Sequence, residues 1–302
     1  DTGQVMRRNL LILLALLCSL PPRAGADTVD LSQVNGDVRV LGDGLYATFG
    51  NALASGDVNG DGYDDMIIGA PFGSPPGRDF AGKVYIIYGT AAPLPAQLDV
   101  AVPGDADVVI EGAAFFDALG TRVASGDVNG DGIDDVLMSA PQNDPGGPSD
   151  PADGGRVYVF YGQVLPAALP ALIDLSVTSA DSEILGGRPS NGGETLGGAL
   201  ATGDVDGDGT EDIIIGATRA DGSTHPTSPA PAIIDAGRIY VFKGGSLPAS
   251  IDLHTSPSAP LFQIWGESAS DRLGFEATVG DVNGDEYGDI ICAAIAGNPL
   301  GT

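Results

Sequence analysis

The sequence predicts an all-β protein made of repeated four-stranded antiparallel sheets, and three observations carry that expectation. A ten-residue Asp/Gly string occurs four times at near-constant spacing. Each copy is followed by a short apolar run. No stretch of the chain downstream of its first residues shows the 3.6-residue apolar period of an amphipathic helix, and 46 glycines against 6% aromatic residues suit short strands and tight turns.

The string reads GDVNGDGYDD at 56–65, GDVNGDGIDD at 126–135, GDVDGDGTED at 203–212 and GDVNGDEYGD at 280–289. Its first Asp falls at 57, 127, 204 and 281, a period of 70, 77 and 77 residues. Recurrence at that period marks a repeated structural unit. Inside each copy, oxygen-bearing residues alternate, which is how a tight turn surrounds a hard cation that takes several oxygens at about 2.3–2.6 Å. The first copy offers Asp57, Asn59, Asp61, the backbone carbonyl of Tyr63, and Asp65. The second offers Asp127, Asn129, Asp131, the Ile133 carbonyl and Asp135; the third Asp204, Asp206, Asp208, the Thr210 carbonyl and Asp212. In the fourth, Asp281, Asn283, Asp285, the Tyr287 carbonyl and Asp289 take these places, with Glu286 where the others have a second glycine. The expected ligand is Ca²⁺, one per repeat and up to four in all.

An EF-hand loop begins in the same way but needs a bidentate Glu at position twelve and a helix on either side. Position twelve here is Ile68, Met138, Ile215 and Cys292. The runs that contain these residues, MIIGA, VLMSA, IIIGA and IICAA, read as buried strands. The cation loop therefore joins two strands. A third strand is expected at 82–89, 155–162 and 237–244, and a fourth at 107–112, 183–187 and 262–266. DVRVLG at 37–42 has the form of the fourth and precedes the first unit. Four antiparallel strands per unit, stacked unit on unit, make the blades of a β-propeller.

The amino terminus has the pattern of a secretory signal: Arg7 and Arg8, the apolar run LLILLALLCSL at 10–20, two prolines, and Ala24-Gly25-Ala26 as a cleavage site. The expected organisation is upstream residues and signal at 1–26, a leading outer strand at 27–46, blades at 47–112, 113–187 and 188–266, and a partial blade at 267–302. Cleavage after Ala26 places the chain outside the cytoplasm: secreted, at the cell surface or in the periplasm. The net charge of −28, with 17 acidic residues in the four strings, opposes binding to nucleic acid. Cys292 is the only cysteine beyond the signal and is expected as a buried thiol.

These units resemble FG-GAP repeats, the blades of the integrin α-subunit amino-terminal propeller. The residues that carry the resemblance are Phe49-Gly50 with Gly69-Ala70-Pro71, Leu119-Gly120 with Ser139-Ala140-Pro141, Leu196-Gly197 with Gly216-Ala217-Thr218, and Leu273-Gly274 with Ala293-Ala294. The resemblance implies a calcium-dependent propeller of seven blades. Three blades and part of a fourth are then a fragment, in which DVRVLG would complete the last blade of the full ring.

Function reads from the loops. Those at 71–82, 141–155 and 218–237 are long, unequal and Pro/Gly-rich, and they leave the sheets on the face away from the cation strings. Tyr46, Phe115, Phe116 and Arg122 belong to that face and are the candidate contacts for an unidentified protein or glycan partner. No G-x-S-x-G, H-E-x-x-H or P-loop string occurs, and His225 and His254 lie in loop contexts. A calcium-stabilised binding or adhesion scaffold is the first reading. The alternative is the non-catalytic propeller of a larger secreted enzyme, phospholipase- or lyase-like.

Overall fold

The computed structural model describes residues 38–44, 46–143, 154–165, 167–187, 193–221 and 234–296. The expected signal at 1–26 and His225 lie outside the described residues. Every described element is a strand or a turn. The strands are β1 (Arg39–Leu41), β2 (Ala52–Gly56), β3 (Asp65–Ala70), β4 (Lys83–Ile87), β5 (Gln97–Asp99), β6 (Val108–Glu111), β7 (Val123–Gly126), β8 (Asp135–Ala140), β9 (Arg156–Phe160), β10 (Leu172–Asp174), β11 (Ser182–Leu185), β12 (Leu196–Gly203), β13 (Asp212–Ala217), β14 (Arg238–Phe242), β15 (Ser250–Asp252), β16 (Phe262–Trp265), β17 (Leu273–Gly280) and β18 (Asp289–Ala294).

Three blades have the expected antiparallel order: β2-β3-β4-β6, β7-β8-β9-β11 and β12-β13-β14-β16. A fourth contributes the hairpin β17-β18. The first strands β2, β7, β12 and β17 lie side by side, so the blades stack face to face.

The core lies between blades. Ile67, Val84 and Ile86 of the first blade pack with Val136, Met138 and Tyr158 of the second. Leu137, Val157 and Val159 of the second pack with Ile213, Ile215 and Tyr240 of the third. This is why β8 and β13 are buried at all six positions and carry unbroken apolar runs: a strand sandwiched between two sheets has no polar face. Each fully buried Ile, Val or Leu contributes about 1.5–3 kcal/mol of transfer free energy. In β18 all positions are intermediate or exposed, and Cys292 is a half-covered free thiol rather than the buried one expected.

Glycines set how closely blades approach. A Cβ on Gly69 would run into the backbone carbonyl of Gly120 in the next blade, and one on Gly216 into that of Gly274. The Gly of each Gly-Ala pair thus meets the Phe/Leu-Gly pair of the following blade, which gives the repeated residues a physical reason. Gly69→Val is expected to force the first two blades apart at a cost of about 2 kcal/mol or more, read as a lowered urea midpoint.

The structure adds one strand per repeat that the sequence reading lacks. β5, β10 and β15 are three residues each; β5 pairs in parallel with β1, and β10 and β15 pair in parallel with β6 and β11, the outermost strands of the preceding blades. Arg78 reinforces the second of these links, reaching Asp174 of β10 at 2.5 Å and Glu111 of β6 at 3.4 Å. The guanidinium holds the Asp174 carboxyl down to about 2. A signal was present in the repeated Leu/Ile-Asp-Val/Leu at 98–100, 173–175 and 251–253.

Candidate metal centre

The four Asp/Gly strings form eight-residue loops, 57–64, 127–134, 204–211 and 281–288, each joining a first strand to a second at one end of its sheet. Their conformation follows from the sequence. Gly60, Gly130, Gly207 and Gly284 all take positive φ, between 68° and 80°. Two residues on, Gly62, Gly132 and Gly209 have φ of 87–89°. Glu286 holds the same bend at 72°, where a side chain crowds the backbone and costs of order 1 kcal/mol. Glu286→Gly is therefore expected to stabilise the fourth hairpin by about 1 kcal/mol, seen as slower amide exchange across 281–289.

In each loop the backbone N–H groups turn inward onto the acidic side chains. Asp57 accepts from the N–H of Asp61 at 3.0 Å and of Gly62 at 2.7 Å. Asn59 Oδ1 accepts from Asp61 N–H at 2.9 Å, and Asp61 Oδ1 from Tyr63 N–H at 3.0 Å. Asp127, Asn129 and Asp131 repeat the pattern toward Gly132, Asp131 and Ile133. Asp204, Asp206 and Asp208 repeat it toward Gly209, Asp208 and Thr210. In the fourth loop Asp281 accepts from Gly284, Asp285 and Glu286, and Asp285 from Tyr287. Asn283 Nδ2 reaches Asp289 Oδ1 at 3.3 Å.

Position nine is different in kind. Asp65, Asp135 and Asp212 are fully buried. Asp65 accepts from Val58 N–H at 3.0 Å and from Gly89 N–H at 2.8 Å. Asp135 accepts from Val128 and Gly162, and Asp212 from Val205 and Gly244. Each ties its loop to the end of the third strand. Burial pushes the Asp65 and Asp135 carboxyls up to about 7, against the backbone donors that favour the anion. Burial raises Asp212 as well. Desolvated carboxylates beside further acids are what a divalent cation discharges, so hard oxygen donors and their electrostatics both fit Ca²⁺. In the third loop one carboxylate oxygen from each of Asp204, Asp206 and Asp208 lies within 4.8 Å of the other two.

The loops are also bonded to each other, which the sequence reading missed. The carbonyl at position one accepts from the N–H at position eight of the next loop: Asp57 from Asp134 at 3.2 Å, Asp127 from Glu211 at 3.1 Å, Asp204 from Gly288 at 2.7 Å. Asp134 returns the bond, its Oδ2 accepting from Asp57 N–H at 2.9 Å. The acid repeated at position eight, Asp64, Asp134 and Glu211, was the available signal.

At the opposite end of the sheets, Tyr46 is 80% exposed, Phe115 61% and Phe116 44%. Phe115 and Phe116 extend a row of rings that also includes Phe80 and Phe72, with centroids 4.4, 5.0 and 6.0 Å apart in that order. Phe72 and Phe80 come from the loop at 71–82 and were not anticipated. Arg122 is engaged elsewhere: its guanidinium lies 2.6 Å from Glu276 on the first strand of the fourth blade and stacks over Phe275. His254 is exposed, and its backbone N–H donates to Asp252 Oδ1 at 2.9 Å.

Stacked four-stranded blades, each with an acidic loop between its first two strands, define a repeat protein of the propeller class. Residues 49–87, 119–160 and 196–242 match the FG-GAP repeat family, so the chain carries three FG-GAP repeats. It is 35% identical over 177 residues to phosphatidylinositol-glycan-specific phospholipase D of Rattus norvegicus, covering 59% of this chain and 19% of that protein. It is also homologous to integrin α chains. Integrin alpha-PS2 of Drosophila melanogaster is 33% identical over 180 residues (57% of this chain, 12% of that protein), and human integrin alpha-IIb 30% identical over 187 residues (59% and 16%). The chain thus spans about a fifth or less of the length of these relatives.

Proposed function

We propose that this chain is a secreted, calcium-stabilised propeller scaffold that binds a protein or glycan partner, and that the ions are structural. The observation that carries the reading is the fourfold recurrence of one donor array on loops that are themselves bonded blade to blade. Asp57, Asn59, Asp61, the Tyr63 carbonyl and Asp65 would hold the first ion. Asp127, Asn129, Asp131, Ile133 and Asp135 would hold the second; Asp204, Asp206, Asp208, Thr210 and Asp212 the third; and Asp281, Asn283, Asp285, Tyr287 and Asp289 the fourth. An ion that cross-links a loop also fixes the register between neighbouring blades, because the loops share backbone hydrogen bonds. Calorimetric titration of metal-free protein with Ca²⁺ tests this, and absence of any uptake at millimolar calcium would remove the reading.

The partner is assigned to the aromatic end, where Tyr46, Phe115 and Phe116 are exposed. Arg122, the fourth candidate contact, is held by Glu276. Replacing Phe115 and Phe116 by Ser is expected to weaken capture of a partner at least tenfold, since truncating an anchoring aromatic typically costs 2 kcal/mol or more. Unchanged binding would exclude this face.

A second reading has its own support in the 35% identity to a phospholipase D. There the chain is the non-catalytic propeller part of a larger secreted enzyme. The full reading frame separates the two: an adjoining catalytic domain favours the second, further repeats alone the first.

A further inference from the structure

Two residues of the third blade depart together from their counterparts. Position three of its loop is Asp206, where the other loops have Asn59, Asn129 and Asn283. The residue after its third strand is Lys243, where the first two blades have Tyr88 and Tyr161. These two departures touch. The Lys243 ammonium bonds to the Asp206 carboxylate and lies 2.6 Å from Asp208 Oδ2. Asp206 and Asp208 belong to the trio whose ligand oxygens cluster within 4.8 Å.

The charges balance. Positions one, three, five and nine hold three carboxylates in the first, second and fourth loops and four in the third. One lysine returns the third loop to the same sum. An isolated exposed Lys–Asp pair is worth little, and alone it would say nothing. Here a gained acid and a gained base meet at the oxygens that the other loops offer to a cation.

We propose that Lys243 is a tethered cation of the third loop, holding Asp206 and Asp208 together when divalent ion is scarce and competing with calcium for their oxygens. The competition rests on the calcium reading above; the holding role does not. The third loop is then the one least dependent on metal for its shape, and Lys243 offsets the calcium affinity that its fourth carboxylate adds. Removing a unit charge a few ångströms from a divalent ion, partly screened by salt, raises its affinity about tenfold.

Amide exchange of the full chain, followed by mass spectrometry on peptides spanning 57–65, 127–135 and 204–212, tests the proposal. The proteins compared are wild type, Lys243→Met and Lys243→Arg. In excess chelator the wild-type third loop is expected to exchange more slowly than the first two; Lys243→Met should abolish that difference and Lys243→Arg should retain it. An unchanged third loop in Lys243→Met under chelator overturns the proposal. On adding Ca²⁺ alone, the third loop should become protected at about tenfold lower concentration in Lys243→Met than in wild type. If the first two loops respond to calcium and that shift does not appear, competition is overturned. If calcium protects no loop, the calcium reading fails, and the chelator comparison still decides whether Lys243 acts as the resident cation.

Discussion

Excess chelator is expected to lower the melting temperature of this chain by about 10 °C relative to 1 mM free calcium. With a Kd of ~0.1 mM, within reach of extracellular modules, one occupied site stabilises by roughly 1.4 kcal/mol. Three sites in the complete blades then contribute about 4 kcal/mol, and each kcal/mol moves the midpoint of a chain of this size by about 2–4 °C. The structure adds a reason for a cooperative effect. Asp57, Asp127 and Asp204 each accept a backbone bond from the following loop, so a loop that loosens without its ion also releases its neighbour. Differential scanning calorimetry with and without chelator is the measurement. A midpoint that stays put would show that the carboxylates are held by the backbone donors alone.

The second large effect separates the strut from the ligand. Asp135→Ala is expected to cost about 3 kcal/mol even in chelator. Its carboxylate is fully buried and accepts the N–H groups of Val128 and Gly162. Truncation leaves two buried donors unpaired, at about 1–3 kcal/mol each. Asp131→Ala is expected to cost under about 1 kcal/mol in chelator, because its contact to Ile133 N–H is exposed and surface bonds of this kind add little. Both should abolish calcium uptake at the second loop. Urea unfolding with and without calcium reads the difference; equal losses for the two variants under chelator would contradict the division of labour between positions five and nine.

The acidic loops and the strands after them were legible because their information is local. An alternation of acids and glycines over ten residues dictates the turn, and an unbroken apolar run after it needs cover on both faces. Those rules apply wherever the string recurs, so four copies reinforced one another. The bend at Glu286 follows from the same local rule, and the chain adopts it at the expense of strain. By contrast β5, β10 and β15 are too short to carry a period. They form where an earlier strand offers an edge to pair with, and the repeated Leu/Ile-Asp-Val/Leu that marks them becomes a strand only through that pairing.

The amino-acid order alone settled the all-β class, the repeat and the bends of the acidic loops. Contacts between residues far apart in the chain decided the rest. Arg122 is committed to Glu276, 154 positions away, and Lys243 lies on Asp206 across 37. The position-eight N–H groups bond to the carbonyls of the loop before. A one-dimensional pattern records what each residue prefers around itself; which distant group stands beside it is set by how blades stack, and that stacking is chosen by burial summed over whole sheets.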